Sequence, residues 1–323
     1  MKQNKQLDTK ATAGTREGFG QAMMELAKEN PNVVALCADL TTSLRLKKFE
    51  EKYPDRFIQV GVAEQNMVSV AAGLALGGKI PFAASYAVFN PGRTWDQIRV
   101  SICYSSLNVK LIGGHTGLST GPDGATHQAL EDLALVRVLP NMAVIVPCDN
   151  EEARKATHAI AQKQGPCYLR LGRTKVADVT NTKTNFKIGQ ANTVKEGSDV
   201  TIIACGIMVQ KALVAAEQLA KENISVRVVN MHTIKPIDKK VIIKAANETK
   251  LIVTAEEHQI TGGLGSAVAE IIVQETGTTI NKATPVRMIG MQDCFGESGS
   301  AEELLEKYGL TSEAIYKTIK ETI

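Results

Sequence analysis

The chain has 323 residues, room for about two domains at roughly 150 residues each, so it can bury a core without disulfide or metal staples. Its 44% hydrophobic and 22% charged residues exclude a disordered chain, and 37 basic against 34 acidic side chains leave only +3, too weak and too evenly spread for a nucleic-acid surface. The polar start MKQNKQLDTK holds no apolar signal core, and no apolar run approaches the ~20 residues that span a bilayer; no membrane role and a cytoplasmic location are expected. Six cysteines (Cys37, Cys103, Cys148, Cys167, Cys205, Cys294) lie far apart, never as C-x-x-C, and read as reduced core thiols.

From Thr15 the residues Phe19, Ala22, Met23, Leu26 and Ala27 recur with helical spacing and predict an amphipathic helix. VVALCAD (33–39) then reads as a parallel strand covered on both faces. The alternation continues with strand FIQV (57–60), a helix from Glu64, strand IPFAASYA (80–87), a helix near Trp95 to Cys103, and strand VKLIGG (109–114). A helix HQALEDLALVRVL (127–139) and strand MAVIVP (142–147) complete a layered α/β sheet. Between Lys175 and Asp199 the text is polar and unperiodic, too long for an ordinary connection, and a domain boundary belongs there. A second alternation follows: DVTIIACG, a helix through LVAAEQLAKEN, ISVRVVN, LIVTAEE, a helix from Gly265, and VRMIGM. Ser300 and Glu303 have capping-box spacing before EELLEKYGL.

Three segments at strand ends combine polar groups with permissive glycines, where α/β sheets build their sites. They are GVAEQN (61–66), GGHTGLSTGPDGATHQALED (113–132), which holds two of the five histidines, and LRLGR (169–173). Singly, each has a plain alternative. Glu64 in a first helical turn suits the helix dipole, His115 or His127 could be structural, and Arg170 could be a surface charge.

Together and in order, these segments resemble the C-terminal half of transketolase. The likeness rests on Arg16-Glu17, ADLTTS (38–43), DRFIQVGVAEQNMVSVAAGLA (55–75), the H-x11-H run from His115 to His127 inside GPDGATHQALEDLALVRVLPNM, and FGESGSAEELLEKYGL (295–310). It runs from about residue 10 to the C-terminus. Deoxyxylulose-phosphate synthases and β subunits of 2-oxo acid dehydrogenases share the first motif but not the whole set.

The resemblance implies two three-layer α/β/α domains: a thiamine diphosphate pyrimidine-binding domain over 1–178, a linker over 179–195, and a transketolase C-terminal domain over 196–323. It implies transfer of a ketol unit between sugar phosphates, with thiamine diphosphate as cofactor. Glu64 matches the acid that hydrogen-bonds the aminopyrimidine, and Phe89 and Trp95 match the stacking aromatics, with core packing as their alternative; Gly92 stands where another aromatic is common. Asp39 falls where a carboxylate lies near the thiazolium. Arg16, Ser43, His115 and Arg170 match phosphate contacts, Asp123 the acid that reads substrate hydroxyls, and His127 the histidine that meets the reacting oxygen.

The Gly-Asp-Gly and downstream Asn that bind Mg²⁺ are missing. Pro122-Asp123-Gly124 with Asn150 is only superficially similar, and GGLGS (262–266) lacks a full dinucleotide fingerprint. The expected Mg²⁺ ligands therefore lie on a separate N-terminal subunit, in an α2β2 assembly, with a homodimer when this chain is alone. The alternatives are a dehydrogenase β subunit or synthase half using the same cofactor, and a non-catalytic binding or regulatory subunit that kept the fold.

Overall fold

Both faces of the first sheet are covered because its strands are apolar on both sides. In the computed structural model, which describes residues 13–323, β1 (Val33–Cys37) sends Val34 and Leu36 into one core and Val33, Ala35 and Cys37 into another. The polar start and the first part of the expected 1–178 domain lie outside the described residues. With β1 run β2 (Phe57–Gln59), β3 (Ile80–Tyr86), β4 (Lys110–Gly114), β5 (Ala143–Ile145) and β6 (Cys167–Arg170), all parallel, in the order β5-β6-β4-β3-β1-β2. The predicted stripe of helix Thr15–Glu29 is buried, and this helix packs on helix Asn150–Gln162. That contact is close: a side chain at Gly18 would place its Cβ 2.0 Å from the Asn150 carbonyl oxygen.

The second sheet has the order β12-β11-β8-β9-β7, built from β7 (Asn192–Lys195), β8 (Val200–Ala204), β9 (Val226–Asn230), β11 (Leu251–Gln259) and β12 (Val286–Met291), with only β7 antiparallel. Between β9 and β11 lies β10 (Thr233–Lys235), which crosses back to pair antiparallel with β5 at the edge of the first sheet. One apolar core therefore runs from Met67 and Leu133 to Met231, Ile242 and Leu264, joining the two domains. The expected linker 179–195 ends in β7, and the second domain contributes a strand to the first.

Two further expectations are corrected. The helix expected over 127–139 is confined to Asp132–Arg137. The carbonyls of Ala129 and Leu130 are taken by the N–H groups of Gly117 and Gln259, so the preceding residues are held in tertiary hydrogen bonds instead of a helical ladder. Of the six free thiols, five are buried, but Cys294 is exposed. The Ser300 cap is present, its Oγ accepting from Glu303 N. Among the described residues no helix is long and apolar enough to cross a membrane.

Candidate active site

From β1 the chain passes to β2 on one side and then to β3 on the other, so the order reverses between β1 and β3. A crevice outside the carboxyl ends of the strands is the consequence. The candidate residues gather there: Asp39 and Ser43 after β1, Glu64 after β2, Phe89 after β3, His115 after β4, and the residues that follow β6.

The centre of the crevice is cationic and aromatic. Arg16, 8% exposed, donates from Nη1 to Ser43 O at 2.7 Å and from Nη2 to Arg173 O at 2.9 Å; the same Nη1 lies 3.3 Å from His115 Nε2. Burial, then the nearby Arg45, lowers the Arg16 pKa. His115 is pushed down to about 3, first by burial and then by Arg16, Arg173, Arg45 and His127, so its imidazole is neutral at physiological pH. Its ring stacks on Tyr86 at 3.8 Å, and His127 meets the edges of Tyr86 and Phe89 at 6.1 and 5.5 Å. Among the described residues, Arg16 Nε and His115 Nδ1 are buried without a hydrogen-bond partner. Buried donors of this kind are costly unless something else meets them, and an anionic group entering the crevice would do so.

Glu64 opens helix Glu64–Leu76 and is 1% exposed. Its Oε2 accepts from Arg93 Nη1 at 2.7 Å, and the Arg93 guanidinium lies over the Phe89 ring at 4.6 Å. Among the described residues no hydrogen bond is made to its Oε1. Glu64, Phe89 and Arg93 thus form one wall of the crevice, next to Tyr86 and His127.

Two expected site residues are placed elsewhere. Arg170 is 4% exposed and two of its guanidinium nitrogens are engaged: Nε donates to Asp132 Oδ2 at 2.8 Å, and Nη2 to Asp132 Oδ1 at 3.0 Å, Glu257 O at 3.0 Å and Ala129 O at 3.2 Å. Through Glu257 O it links the first domain to β11 of the second. Trp95 donates its indole N–H to Leu135 O at 2.8 Å and packs against the core, the alternative foreseen for it.

Arg173 and Tyr86, which the sequence reading did not single out, join the crevice group. Arg173, three residues past Arg170, donates from Nη1 to Thr120 O at 2.5 Å and lies 3.9 Å from Asp123 Oδ1. The signal was present in LRLGR: Arg170 ends a strand covered on both faces, whereas Arg173 follows Gly172 beyond the sheet's carboxyl edge. Tyr86 is likewise the last residue of β3. Asp123 is exposed beside this group, and Asp39, also exposed and at φ 59°, donates its N–H to Gln59 Oε1 at 2.8 Å.

The residues present fit one half of thiamine diphosphate. A buried carboxylate with an open oxygen beside the aromatic faces of Phe89 and Tyr86 suits an aminopyrimidine ring. For the diphosphate end, among the described residues no group of three His, Cys, Asp or Glu side chains is placed to hold a metal ion.

Fold and site define one half of an α/β enzyme whose active site is completed by another chain or domain. The chain matches the pyrimidine-binding domain of transketolase over residues 11–178 and the transketolase C-terminal domain over 189–315. It is 41% identical over 306 residues to the 6-deoxy-6-sulfo-D-fructose transketolase subunit of Clostridium sp. (strain MSTE9), covering 95% of this chain and 93% of that one. It is 38% identical over 310 residues to human transketolase, covering 95% of this chain but 48% of the human protein. A split-gene transketolase, solved as an inactive β4 tetramer, superposes with a TM-score of 0.88 at 47% identity, covering 96% of this chain and 98% of the other. The chain belongs to the transketolase family, enzymes that transfer ketol units with thiamine diphosphate, and it corresponds to the C-terminal subunit of a split transketolase. The dehydrogenase, synthase and regulatory alternatives are not favoured.

Proposed function

We propose that this chain supplies the aminopyrimidine wall and the sugar-phosphate end of the active site, while a separate N-terminal subunit supplies the Mg²⁺ and diphosphate cage. The observation that carries this is the convergence of Glu64, Phe89, Tyr86, His115, His127, Arg16 and Arg173 at one crevice that lacks a metal-ligand cluster among the described residues. A diphosphate must be neutralised before it leaves water, so the cage has to come from elsewhere.

When bound, thiamine diphosphate supplies a carbanion-stabilising ring for breaking and making the carbon–carbon bond. Glu64 would hold the aminopyrimidine through Oε1, while Arg93 orients the carboxyl group through Oε2. Phe89 and Tyr86 exclude water from that bond, which strengthens it. His127, at the edge of the same aromatic group, faces the reacting oxygens. Asp39, exposed after β1, would lie beside the thiazolium when the cofactor is bound. The donor phosphate is held by Arg16, Arg173 and neutral His115, with Ser43 beside them. A neutral imidazole can donate to the phosphate with one nitrogen while the other faces Arg16, and two guanidiniums supply the charge. Asp123, at the Arg173 end, reads the substrate hydroxyls.

The assembly is read as α2β2. That the split-gene relative forms a β4 tetramer supports self-association of this chain when its partner is missing. The cytoplasm is the compartment in which five buried free thiols and phosphorylated sugars are at home. The test is reconstitution with a partner subunit carrying Gly-Asp-Gly and a downstream Asn: ketol transfer between sugar phosphates is expected only from the pair, and full activity of this chain alone would overturn the proposal.

A further inference from the structure

The turn Leu118–Asp123 stands between His115 and His127, and its own bonds tie it to the cationic end of the crevice. Thr120 Oγ1 donates to His115 O at 2.7 Å, and Thr120 O accepts from Arg173 Nη1 at 2.5 Å. A shift of Thr120 would therefore move both partners.

What holds this turn from behind belongs to the second domain. Glu257, on β11 and 4% exposed, accepts the N–H of the neighbouring residue Ser119 on its Oε1. The approach is close enough to require glycine in the turn. Gly117 has φ +76°, and a Cβ there would lie 2.2 Å from the Glu257 carboxyl carbon. The main-chain oxygen of Glu257 accepts from Arg170 Nη2 at 3.0 Å, so the Arg170–Asp132 strut fixes the backbone from which this carboxyl group projects. A second prop comes from the same domain: Gln128 Nε2 donates to Glu297 O at 2.9 Å and to Gly121 O at 3.2 Å.

We propose that Glu257 is a positioning residue of the second domain, whose carboxyl group fixes the Leu118–Asp123 turn and, through Thr120, sets His115 and Arg173 for the phosphate of the donor sugar. The proposal rests on the functional reading above. Glu257 has no place at the reacting atoms. Its effect is transmitted by one buried acceptor to a backbone N–H, and a site that must grip a dianion loses affinity when its ligands are misplaced by a fraction of an ångström. The second domain, which contributes none of the crevice's principal side chains, thereby controls how tightly the crevice binds.

Glu257→Ala, Glu257→Asp and Glu257→Gln are compared in the reconstituted two-subunit enzyme, using a ketose phosphate and the corresponding unphosphorylated ketose as donors. Glu257→Ala should raise KM for the ketose phosphate at least tenfold, with kcat changed less than threefold, while KM for the free ketose and thiamine diphosphate affinity change less than twofold. Glu257→Gln keeps an acceptor oxygen and should return KM to within threefold of the unaltered enzyme. If Glu257→Ala does not fold, Glu257→Asp carries the test, since its shorter side chain cannot reach Ser119 and should raise the same KM at least fivefold. Equal losses on both donors, or no rescue by Gln, would overturn the proposal. No ketol transfer by the unaltered pair would sink the functional reading instead. Hydrogen exchange of the Ser119 amide in the full isolated chain would then decide: faster in Glu257→Asp supports the restraint, and unchanged exchange overturns it.

Discussion

Arg93 Nη1 donates to Glu64 Oε2 at 2.7 Å, joining a half-exposed guanidinium to a carboxyl group that is 1% exposed at the start of its helix. The pair leaves Glu64 one oxygen for a ligand and fixes the direction in which that oxygen points. Glu64→Ala should leave the fold intact but lower exchange of the cofactor's C2 proton in the reconstituted enzyme by about 10²-fold or more, the usual range for losing an acid–base partner. Arg93→Met should cause a smaller loss, because the carboxyl group stays while its orientation relaxes. Undiminished exchange in Glu64→Ala would refute its role.

The two arginines of LRLGR should behave in opposite ways. Arg173→Ala is expected to raise KM for phosphorylated donors by an amount worth about 1.5–3 kcal/mol, that of a hydrogen bond to a charged group, with unphosphorylated donors little affected. Arg170→Ala should instead lower stability, since it strands the fully buried Asp132 carboxylate; breaking such a pair typically costs about 3–5 kcal/mol. Chemical denaturation and donor kinetics on both variants separate the roles. A specific phosphate effect in a stable Arg170→Ala would restore the role first expected of it.

His115 gives a pH signature of known sign. Its native pKa is pushed down to about 3 from 6.5 by burial and by Arg16, so between those values the unfolded chain takes up a proton that the native chain does not. Its contribution to stability is therefore complete above pH 6.5 and is lost as pH falls through that window, roughly 2 kcal/mol by pH 5. His115→Asn lacks this loss. The difference in Tm between the unaltered chain and the variant should shrink from pH 7.5 to 5; a constant difference would contradict the neutral, buried imidazole.

Calorimetric titration with thiamine diphosphate and Mg²⁺ should show weak binding to this chain alone and much tighter binding once the N-terminal subunit is present. Micromolar binding by the isolated chain would mean that it holds a diphosphate cage of its own.

The sequence by itself determined the layered α/β architecture, because short apolar runs such as VVALC and FAAS, alternating with amphipathic helical stretches, suit strands covered on both faces. The resemblance to transketolase picked out Glu64, His115, His127, Arg16 and Phe89; Glu64, Phe89 and His115 follow β2, β3 and β4, where a parallel sheet places its carboxyl edge, while Arg16 lies in the first turn of helix Thr15–Glu29. What the sequence could not determine were choices between neighbours and contacts across the chain. Arg170 and Arg173 are three residues apart in one segment, and only the burial of Asp132 against β6 decides which guanidinium it pairs with. Trp95 and Tyr86 are both aromatics near β3, separated by whether a carbonyl at Leu135 is in reach. The crossing of β10 into the first sheet and the grip of Glu257 on Ser119 join residues 88 and 138 positions apart. Periodicity reports which face of an element is buried, and these contacts depend on what lies opposite that face, which is fixed only when the two domains close on a shared core.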